Sequence, residues 1–275
     1  MKSALLEKLY IKYDIANLSF GTIHDKLGDL YEEYCLTILT DSSILNAAKS
    51  NNNVDTLEFN VFKSILAVYG INDFSSITKI DATTKIPLRD THGLSKTDVI
   101  MTITYFNGTE KSYAISCKQT TVAKMAFAEF DVDTICKEVE IDNERLKALM
   151  LKHQTDKSAK NFTPAEKQEL TNLLKPIARK FVRWVITGSP DENPTQLVFP
   201  TSILKFKLKK PKDRYNIDLS KGDFSLISFD VVTIEEYIDH TMLTKNGTIK
   251  PGGFGTGLSW TYATGSGGYK IQFKA

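Results

Sequence analysis

The sequence predicts an α/β fold in which a mixed β-sheet is flanked by helices within one compact unit, residues 1–275. Two observations lead to this prediction. Segments with apolar residues at steps of three and four, which favour helices, alternate with short runs of β-branched and aromatic residues, which favour strands. In addition, no Gly/Ser-rich or Pro-rich linker divides the 275 residues, a length that suits one large domain. A C-terminal subdomain at about 190–275 is a candidate within that unit.

Three helical segments are predicted in the first part of the chain. Residues 23–39 carry an apolar stripe with the period of an amphipathic helix. A second helix is predicted over 54–69, because Gly70 is a residue type that commonly ends helices. Residues 131–153 show a mixed helical pattern.

Two later helices are predicted from their capping residues. Thr163-Pro164-Ala165-Glu166 combines an N-cap threonine, a proline at the first helical position and a glutamate three residues after the cap. The helix that begins there should kink near Pro176 and end at Gly188. Thr233-Ile234-Glu235-Glu236 is a second capping box, which opens a short helix to about Met242.

Strands are predicted at 98–106, 111–118, 196–208 and 224–232. Asn107-Gly108 joins the first two and is a strong hairpin signal. The tail from Pro251 is rich in glycine, yet it contains five aromatic residues. Because a disordered tail seldom has so many aromatic residues, ordered irregular structure with short strands is expected there.

The hairpin turn sets the register of the first two strands. If residues 107–109 form a three-residue loop, Asp98 lies opposite Lys118, and Ser116 is two residues away on the same face of the sheet. A loop of two or four residues would shift this pairing by one place.

Composition excludes several classes of protein. With 41% hydrophobic and 25% charged residues, the chain is neither disordered nor fibrous. Its apolar runs are too short for a membrane span, and charges lie where a signal peptide needs an apolar core. Three cysteines without a Cys-x-x-Cys pair predict reduced thiols and a cytoplasmic protein, and four scattered histidines disfavour a zinc site.

The net charge of +2 conceals an uneven distribution. Residues 242–275 hold four lysines and no acidic residue, and residues 203–214 are also basic. A nearly neutral chain with a basic end indicates an anionic partner at one face, and nucleic acid is the first candidate.

The residues best suited to chemistry lie at the ends of the predicted hairpin. The common phosphate-binding, serine-hydrolase and metalloprotease motifs are absent, and the glycines of 253–257 have the wrong spacing for a dinucleotide site. An aspartate beside a lysine suits phosphodiester hydrolysis, because Asp98 can bind a divalent cation while Lys118 stabilises the transition state or orients the water. The alternative is a solvated ion pair, which contributes under about 1 kcal/mol.

The chain also resembles a known enzyme family. Thr97-Asp98, followed by Ser116-Cys117-Lys118, is similar to the metal-binding core of the PD-(D/E)xK nuclease superfamily. Longer stretches, in the same order along nearly the whole chain, resemble type II restriction endonucleases that cut at CCGG; they lie at residues 28–34, 96–98, 128–136, 152–160, 162–164, 253–263 and 272–274. The resemblance implies Mg²⁺ as cofactor and double-stranded DNA as substrate, cut at a palindromic tetranucleotide to give 5′-phosphate ends. It also implies a cognate DNA methyltransferase as functional partner, and it leaves a monomer or a homodimer open.

The resemblance assigns the catalytic residues. The family's metal-site aspartate corresponds to Asp98, its catalytic lysine to Lys118, and the acidic residue of its N-terminal helix to Glu32. Ser116 stands where the superfamily has a second acid, and a hard cation prefers carboxylate to hydroxyl. Glu32, the backbone carbonyl of Cys117 and waters would then complete the metal shell, with the Cys117 thiol packed on the apolar face of its strand. The alternative for Glu32 is a solvent-facing glutamate, because another glutamate follows it.

DNA contacts are assigned mainly to the C-terminal tail. A lysine can donate to guanine O6 and N7, and a glutamine offers both donor and acceptor to a base edge. The resemblance places the DNA contacts at Thr261, Tyr262, Gln272, Lys274, Glu129 and Ala126, the last in place of a family serine. The alternative is an ordinary basic surface. Further lysines are phosphate contacts or solvated charges, namely Lys205, Lys207, Lys209 and Lys210.

These observations favour a Mg²⁺-dependent type II restriction endonuclease. The second hypothesis is a sequence-specific DNA-binding protein whose nuclease centre is weakened by Ser116. A structural α/β protein without a nucleic-acid role is the third. The first two share the basic tail, so only the metal shell distinguishes them.

Overall fold

Helices and strands alternate along the chain, as the sequence predicts. The computed structural model describes residues 3–50, 54–89, 95–213, 215, 217–262 and 269–275. In chain order the α-helices are α1 (Ala4–Lys12), α2 (Phe20–Thr40), α3 (Ser42–Lys49), α4 (Leu57–Ala67), α5 (Val132–Val139), α6 (Glu144–Asp156), α7 (Pro164–Leu174), α8 (Ala178–Thr187) and α9 (Ile234–Met242). The strands are β1 (Ile77–Thr83), β2 (Val99–Tyr105), β3 (Glu110–Thr120), β4 (Ala126–Phe130), β5 (Ser202–Leu208), β6 (Leu226–Thr233), β7 (Ser259–Thr261) and β8 (Ile271–Lys274).

The chain forms two compact units. Unit 1 comprises Met1–Ala123 and Gln196–Thr233, and unit 2 comprises Lys124–Thr195 and Ile234–Ala275. The residues 190–275, considered above as a candidate subdomain, are therefore divided between the units. That the chain behaves as a single domain stays a prediction. No helix in the described ranges has both the length and the apolar character needed to cross a membrane.

Unit 1 contains a five-stranded mixed sheet in the order β1-β2-β3-β5-β6. Strands β3 and β5 are parallel, and every other neighbouring pair is antiparallel. Helix α2 packs on β1, β2 and β3, so the sheet is flanked by helix as predicted. The predicted fold class is confirmed.

The apolar stripe of α2 explains this packing. Its side chains at steps of three and four, among them Ile23, Leu27 and Leu30, are completely buried in the core of unit 1. Tyr31 stacks on Phe206 of β5 with ring centroids 4.4 Å apart. Burial of one large apolar side chain contributes about 1.5–3 kcal/mol to stability, so the stripe fixes α2 against the sheet.

The hairpin register differs from the predicted one. Tyr105 donates its backbone N–H to the carbonyl of Thr109 at 2.9 Å, so the loop is 106–108 rather than 107–109. Gly108 ends that loop with φ +78°, a left-handed conformation that costs glycine little, whereas the predicted loop would have placed Thr109 there. Val99 consequently pairs with Ile115.

This register changes the neighbour of the key aspartate. Asp98 lies one residue before the Val99–Ile115 pair, and its backbone N–H also donates to the Ile115 carbonyl, at 2.9 Å. The predicted pairing of Asp98 with Lys118 is therefore wrong, because the register of β2 and β3 differs by two residues from the predicted one. Lys118 still lies on the same face as Ser116, because side chains two residues apart on a strand point the same way.

Unit 2 contains a three-stranded antiparallel sheet in the order β4-β8-β7, together with α5 to α9. The predicted capping box at Thr163 and Glu166 begins α7, with both reciprocal hydrogen bonds present. A 3₁₀ turn at Lys175–Ile177, which contains the predicted proline, separates α7 from α8. Helix α8 ends at Gly188 in the left-handed conformation, as predicted. The tail is ordered where it is described, since β7 and β8 belong to this sheet.

Candidate functional site

One oxygen of the Asp98 carboxylate accepts three hydrogen bonds. The backbone N–H of Cys117 donates to Oδ2 at 2.7 Å, the Lys118 ammonium at 2.9 Å and the Ser116 hydroxyl at 3.0 Å. These donors are consecutive residues near the end of β3, and Asp98 directly precedes β2. Such bonds fix the orientation of the carboxyl group. Among the described residues, no donor lies on the second oxygen, Oδ1.

The ion pair between Asp98 and Lys118 is partly desolvated. Their side chains are 17% and 26% exposed, respectively, so solvent still reaches the charged atoms. The neighbouring Ser116 is buried. A partly buried, still accessible pair differs from the fully solvated ion pair that the sequence left as the alternative.

The alternation of side chains along β3 separates the site from the core. Ser116 and Lys118 lie on one face, while Cys117 belongs to the hydrophobic core of unit 1. Contact with the Cys35 thiol and burial both raise the pKa of the Cys117 thiol well above its usual value. The prediction that this thiol packs on the apolar face is confirmed, and only the backbone of Cys117 is available to the site.

Glu32 on α2 lies close enough to this ion pair to interact with it electrostatically. Burial and the negative charge of Asp98 together raise the pKa of Glu32 to about 7, although the positive charge of Lys118 acts in the opposite direction. The next residue, Glu33, has a different partner, since its carboxylate binds the ammonium of Lys12 at 2.6 Å. The structure therefore brings Glu32, and not Glu33, to the other predicted catalytic residues.

The oxygen atoms around Asp98 suit a hard divalent cation such as Mg²⁺. Glu32 and Oδ1 of Asp98 supply carboxylate oxygens, and mutual repulsion between the two carboxylates would be relieved by a bound cation. Because the Cys117 N–H points at Asp98 and a strand residue directs its N–H and C=O to the same side, its carbonyl faces this site too. With Ser116 in place of a third acid, the described part of the chain holds no cluster of three or more His, Cys, Asp or Glu side chains suited to a metal.

Sequence reasoning missed a second lysine near the site. Burial and the positive charge of Lys118 together lower the pKa of Lys96 to about 8. Two ammonium groups therefore interact here beside Asp98. The signal was present in Lys96-Thr97-Asp98, because residues two apart in an extended segment point the same way.

The predicted DNA contacts form a second group, on the sheet of unit 2. Strand β8 is central, and its Phe273 is completely buried between Ala128 and Trp260 of the neighbouring strands. Gln272 and Lys274, on either side of Phe273, face the opposite side of the sheet. With their partners on β4 and β7 they form two cross-strand rows. These rows are Ala126–Lys274–Ser259 and Glu129–Gln272–Thr261. We call this side of the sheet the polar face.

A bulge in β4 places two of these residues in phase. The register shifts between Ala126 and Ala128, so that Ala126 and Glu129 both reach the polar face although they are three residues apart. The Thr261 hydroxyl donates to the backbone carbonyl oxygen of Gln272 at 3.2 Å. The Gln272 side-chain amide donates to the Glu129 carboxylate at 3.4 Å, which is a long hydrogen bond.

Tyr262 differs from the other predicted base contacts. Its hydroxyl donates to the backbone carbonyl of His153 at 2.7 Å and also lies 2.7 Å from Nδ1 of that histidine. The hydroxyl is thus directed towards His153 on α6 and away from the polar face.

Two glycines before β7 are required by packing. Gly253 has φ +59°, and a Cβ there would lie 2.0 Å from the carbonyl oxygen of Leu258. Gly257 has φ +72°, and its Cβ would lie 1.9 Å from the carbonyl oxygen of Thr241. These close approaches hold the segment that leads into β7 against the rest of unit 2. The end of the stretch 253–263 that supported the resemblance lies outside the described residues, as do 264–268.

Comparison with known proteins finds relatives among the restriction enzymes. Residues 6–275 match the family described as "Restriction endonuclease MspI". The chain is 34% identical over 277 residues to "Type II restriction enzyme MspI" of Moraxella sp, with 100% of both chains covered. It is 24% identical over 265 residues to "Type II restriction enzyme BsuFI" of Bacillus subtilis, which covers 94% of this chain and 61% of that protein.

A solved structure is similar as well. The crystal structure of restriction endonuclease MspI in complex with its cognate DNA matches this fold with a TM-score of 0.83 and 33% sequence identity. The match covers 100% of both chains. The likeness of fold therefore includes both units.

Proposed function

The chain belongs to the family of MspI restriction endonucleases and is a type II restriction enzyme, and from this premise we propose that it cleaves double-stranded DNA at CCGG with Mg²⁺ as cofactor, leaving 5′-phosphate ends. The observation that supports the proposal most directly is the Asp98 carboxylate, whose Oδ2 accepts three hydrogen bonds, one of them from Lys118. Glu32 lies close by. Carboxylate oxygens next to a lysine are the groups that metal-assisted phosphodiester hydrolysis needs.

The residues divide the chemistry between them. Glu32, Oδ1 of Asp98 and the Cys117 carbonyl would hold the cation, which when bound supplies positive charge at the phosphate and makes a bound water more acidic. One hydrogen of the Lys118 ammonium is used by Asp98. The other two are available to orient the attacking water and to stabilise charge on a phosphate oxygen.

The bonds that change follow from the proposed products. The water oxygen forms a bond to phosphorus, and the bond from phosphorus to the 3′ oxygen breaks. The water gives up a proton, and the 3′ oxygen leaves as a hydroxyl group. The phosphate then remains on the 5′ side, which corresponds to the 5′-phosphate ends that the family resemblance implies.

The polar face has the chemistry to read G·C base pairs. Lys274 can donate to O6 and N7 of guanine, and the Glu129 carboxylate can accept from the N4 amino group of cytosine. Gln272 lies between them in the register and offers both a donor and an acceptor. A site made of G·C pairs alone, such as CCGG, requires these contacts in the major groove.

A second candidate function is favoured by one residue. Ser116 replaces the acid that would complete a three-carboxylate site, which would suit a sequence-specific DNA-binding protein with a weakened nuclease centre. Both functions would use the polar face, so DNA binding alone does not separate them.

Digestion of a DNA of known sequence separates the two functions. The purified protein is incubated with and without Mg²⁺, and the product ends are mapped at single-nucleotide resolution. The proposal expects cuts only within CCGG, only with Mg²⁺, and 5′-phosphate ends. Specific binding to CCGG without any cut would favour the second function, and cuts at unrelated sequences would contradict the assigned target.

The remaining parts of the proposal concern the cellular setting. An enzyme that cuts a four-base sequence would also cut the DNA of the cell that produces it. We therefore propose a cognate DNA methyltransferase that protects CCGG, with both proteins in the cytoplasm. Whether one subunit cuts the two strands in turn or a homodimer cuts both together is measured by comparing nicked and linear products over time.

A further inference from the structure

The Tyr262 hydroxyl makes two hydrogen bonds to one residue. It donates its only proton to the backbone carbonyl of His153, so Nδ1 of the same histidine must donate to the hydroxyl oxygen. His153 is then the neutral tautomer with its proton on Nδ1. The two rings also stack, with centroids 5.7 Å apart and an angle of 25° between their planes. We call these two bonds and the stacked rings the Tyr262 anchor.

The anchor is surrounded by buried side chains and aromatic rings. His153 is buried in the last turn of α6, and three other aromatic rings pack edge-on around it. Those rings belong to Phe162, Phe254 and Trp260. Burial lowers the pKa of His153 to about 4, which agrees with a neutral imidazole at physiological pH.

The anchor lies next to the polar face in sequence. Tyr262 directly follows Thr261, the residue of β7 that pairs with Gln272. The Thr261 hydroxyl also donates a hydrogen bond to the backbone carbonyl oxygen of Gln272. A change in the position of Tyr262 would therefore move Thr261 first and Gln272 next, while Phe273 keeps β8 in the core.

We propose that His153 is a positioning residue for base recognition, which holds Tyr262 by its hydroxyl and thereby fixes Thr261 and Gln272 on the polar face. The inference rests on the proposed function, because it assumes that the polar face reads CCGG. It assigns to Tyr262 a part different from the direct base contact that the family resemblance implies. Contact of its hydroxyl with a base would require both hydrogen bonds to His153 to break.

The test compares discrimination in two single variants and their combination. Tyr262→Phe removes the hydroxyl and keeps the ring, and His153→Leu removes Nδ1. For each variant, binding to a CCGG duplex and to a duplex with one changed base pair is measured at fixed salt. We expect each change to lower the ratio of the two affinities about fivefold, as for the loss of roughly one hydrogen bond, with the affinity for random duplex unchanged. The double variant should lose no more than Tyr262→Phe alone, because the bond lost in His153→Leu is one of the two that Tyr262→Phe already removes.

Two controls separate positioning from general stability. Tyr69→Phe removes a comparable tyrosine hydroxyl, which lies 2.7 Å from Ser202 in unit 1, and should leave discrimination unchanged. His153→Asn offers an amide N–H close to the position of Nδ1 and should recover most of the loss seen in His153→Leu. Thermal melts show whether each variant is folded. If His153→Leu is not folded, His153→Asn still provides a test at this position.

The outcomes are distinguishable. If the parent discriminates but Tyr262→Phe does so equally well, the inference is wrong and the proposed function stands. The inference is also wrong if Tyr262→Phe loses discrimination while His153→Leu and His153→Asn do not, since the hydroxyl would then act without His153. A parent that shows no preference for CCGG would contradict the proposed function itself, and the inference with it.

Discussion

The Ser116 hydroxyl on β3 donates a hydrogen bond at 3.0 Å to Oδ2 of Asp98, the residue directly before β2. The position at which the superfamily has a second acid is therefore occupied by a donor to the first acid. Ser116 is buried, so its hydroxyl contributes to the orientation of Asp98. The effect of restoring an acid at this position follows from that geometry.

Ser116→Asp should strengthen metal binding and destabilise the metal-free protein. The change supplies a second carboxylate beside Asp98, which a hard cation prefers, but without a cation the two negative charges repel each other in a partly buried site. Calorimetric titration with Mg²⁺ or Ca²⁺ measures the first effect, and thermal melts with and without metal measure the second. The uncharged Ser116→Asn is the matched control. Metal binding weaker than in the parent would mean that Ser116 is not at the metal site.

Lys118→Ala should abolish cleavage and leave specific DNA binding largely intact. The ammonium of Lys118 contacts Asp98 at 2.9 Å, where it can act on a phosphate, whereas base recognition is assigned to the polar face. Loss of such a fixed charge lowers a rate by about 10²–10³. Digestion and gel-shift assays on the same preparation measure both properties. Near-normal cleavage by the variant would remove Lys118 from the proposed mechanism.

Metal binding should become tighter as pH rises through about 7. The pKa of Glu32 is about 7 rather than its usual 4.5, because of burial and the charge of Asp98. The folded state thus favours the protonated form of Glu32, which stabilises the metal-free protein. This stabilisation is complete below pH 4.5 and is lost as pH rises through about 7. A cation needs the ionised carboxylate, so its affinity changes in the opposite direction.

Titration with Ca²⁺ at about pH 6 and about pH 8 measures this effect, since the pKa lies between the two values. At the lower pH, binding should be weaker and should release close to one proton per cation. Glu32→Gln cannot ionise, so its weaker binding should vary much less with pH. Equal pH dependence in the parent and the variant would show that another group is responsible.

The sequence predicted those parts of the fold that depend on local pattern. The α2 stripe, the capping box at Thr163 and the end of α8 at Gly188 each depend on residues within one or two helical turns. The hairpin register failed for a related reason, because Asn107-Gly108 predicts a turn but does not say which residue takes the left-handed position. A shift of that loop by one residue moved the register by two, so that Val99 pairs with Ile115, although the Lys118 side chain still reaches the Asp98 carboxylate.

The parts of the site that could not be predicted depend on contacts between distant segments. Glu32 and Glu33 are adjacent and chemically alike, and only the packing of α2 decides which of them meets Asp98. In the same way, the anchoring of Tyr262 requires α6 to bring His153 to the end of β7. Burial and pairing of this kind are properties of the assembled fold, which local sequence pattern does not contain.

Lys205→Gln should weaken binding to all DNA duplexes by a similar factor. Lys205 pairs with Lys118 in the parallel register of β3 and β5, so the two side chains project from the same face of the sheet. Beside Lys118, which is proposed to act on the scissile phosphate, Lys205 is placed to bind the DNA backbone and not a base. The slope of the logarithm of affinity against the logarithm of salt concentration should fall by about 1.

A surface lysine provides the control for this measurement. Lys63 on α4 lies over the ring of Phe59, 5.1 Å from its centroid, and belongs to neither predicted site. Lys63→Gln removes the same charge and should leave the salt slope unchanged. If both variants change the slope equally, Lys205 contributes only to the overall charge.

The double change Gln272→Ala with Lys274→Ala should reduce discrimination for the target sequence. Both side chains lie on the polar face, in the rows that contain Glu129 and Ala126, and the buried Phe273 between them keeps β8 in the core. Removal of residues 271–275 would instead delete the central strand of the sheet, so the substitutions are the cleaner test. A good bidentate base contact provides about 1–3 kcal/mol of discrimination, and each 1.4 kcal/mol corresponds to about tenfold in affinity. Binding to a CCGG duplex should therefore fall about tenfold or more, while binding to random duplex falls little, as measured by competition at fixed salt. If the two duplexes lose affinity equally, these residues contact phosphate and base recognition lies elsewhere, because a phosphate contact weakens every sequence alike.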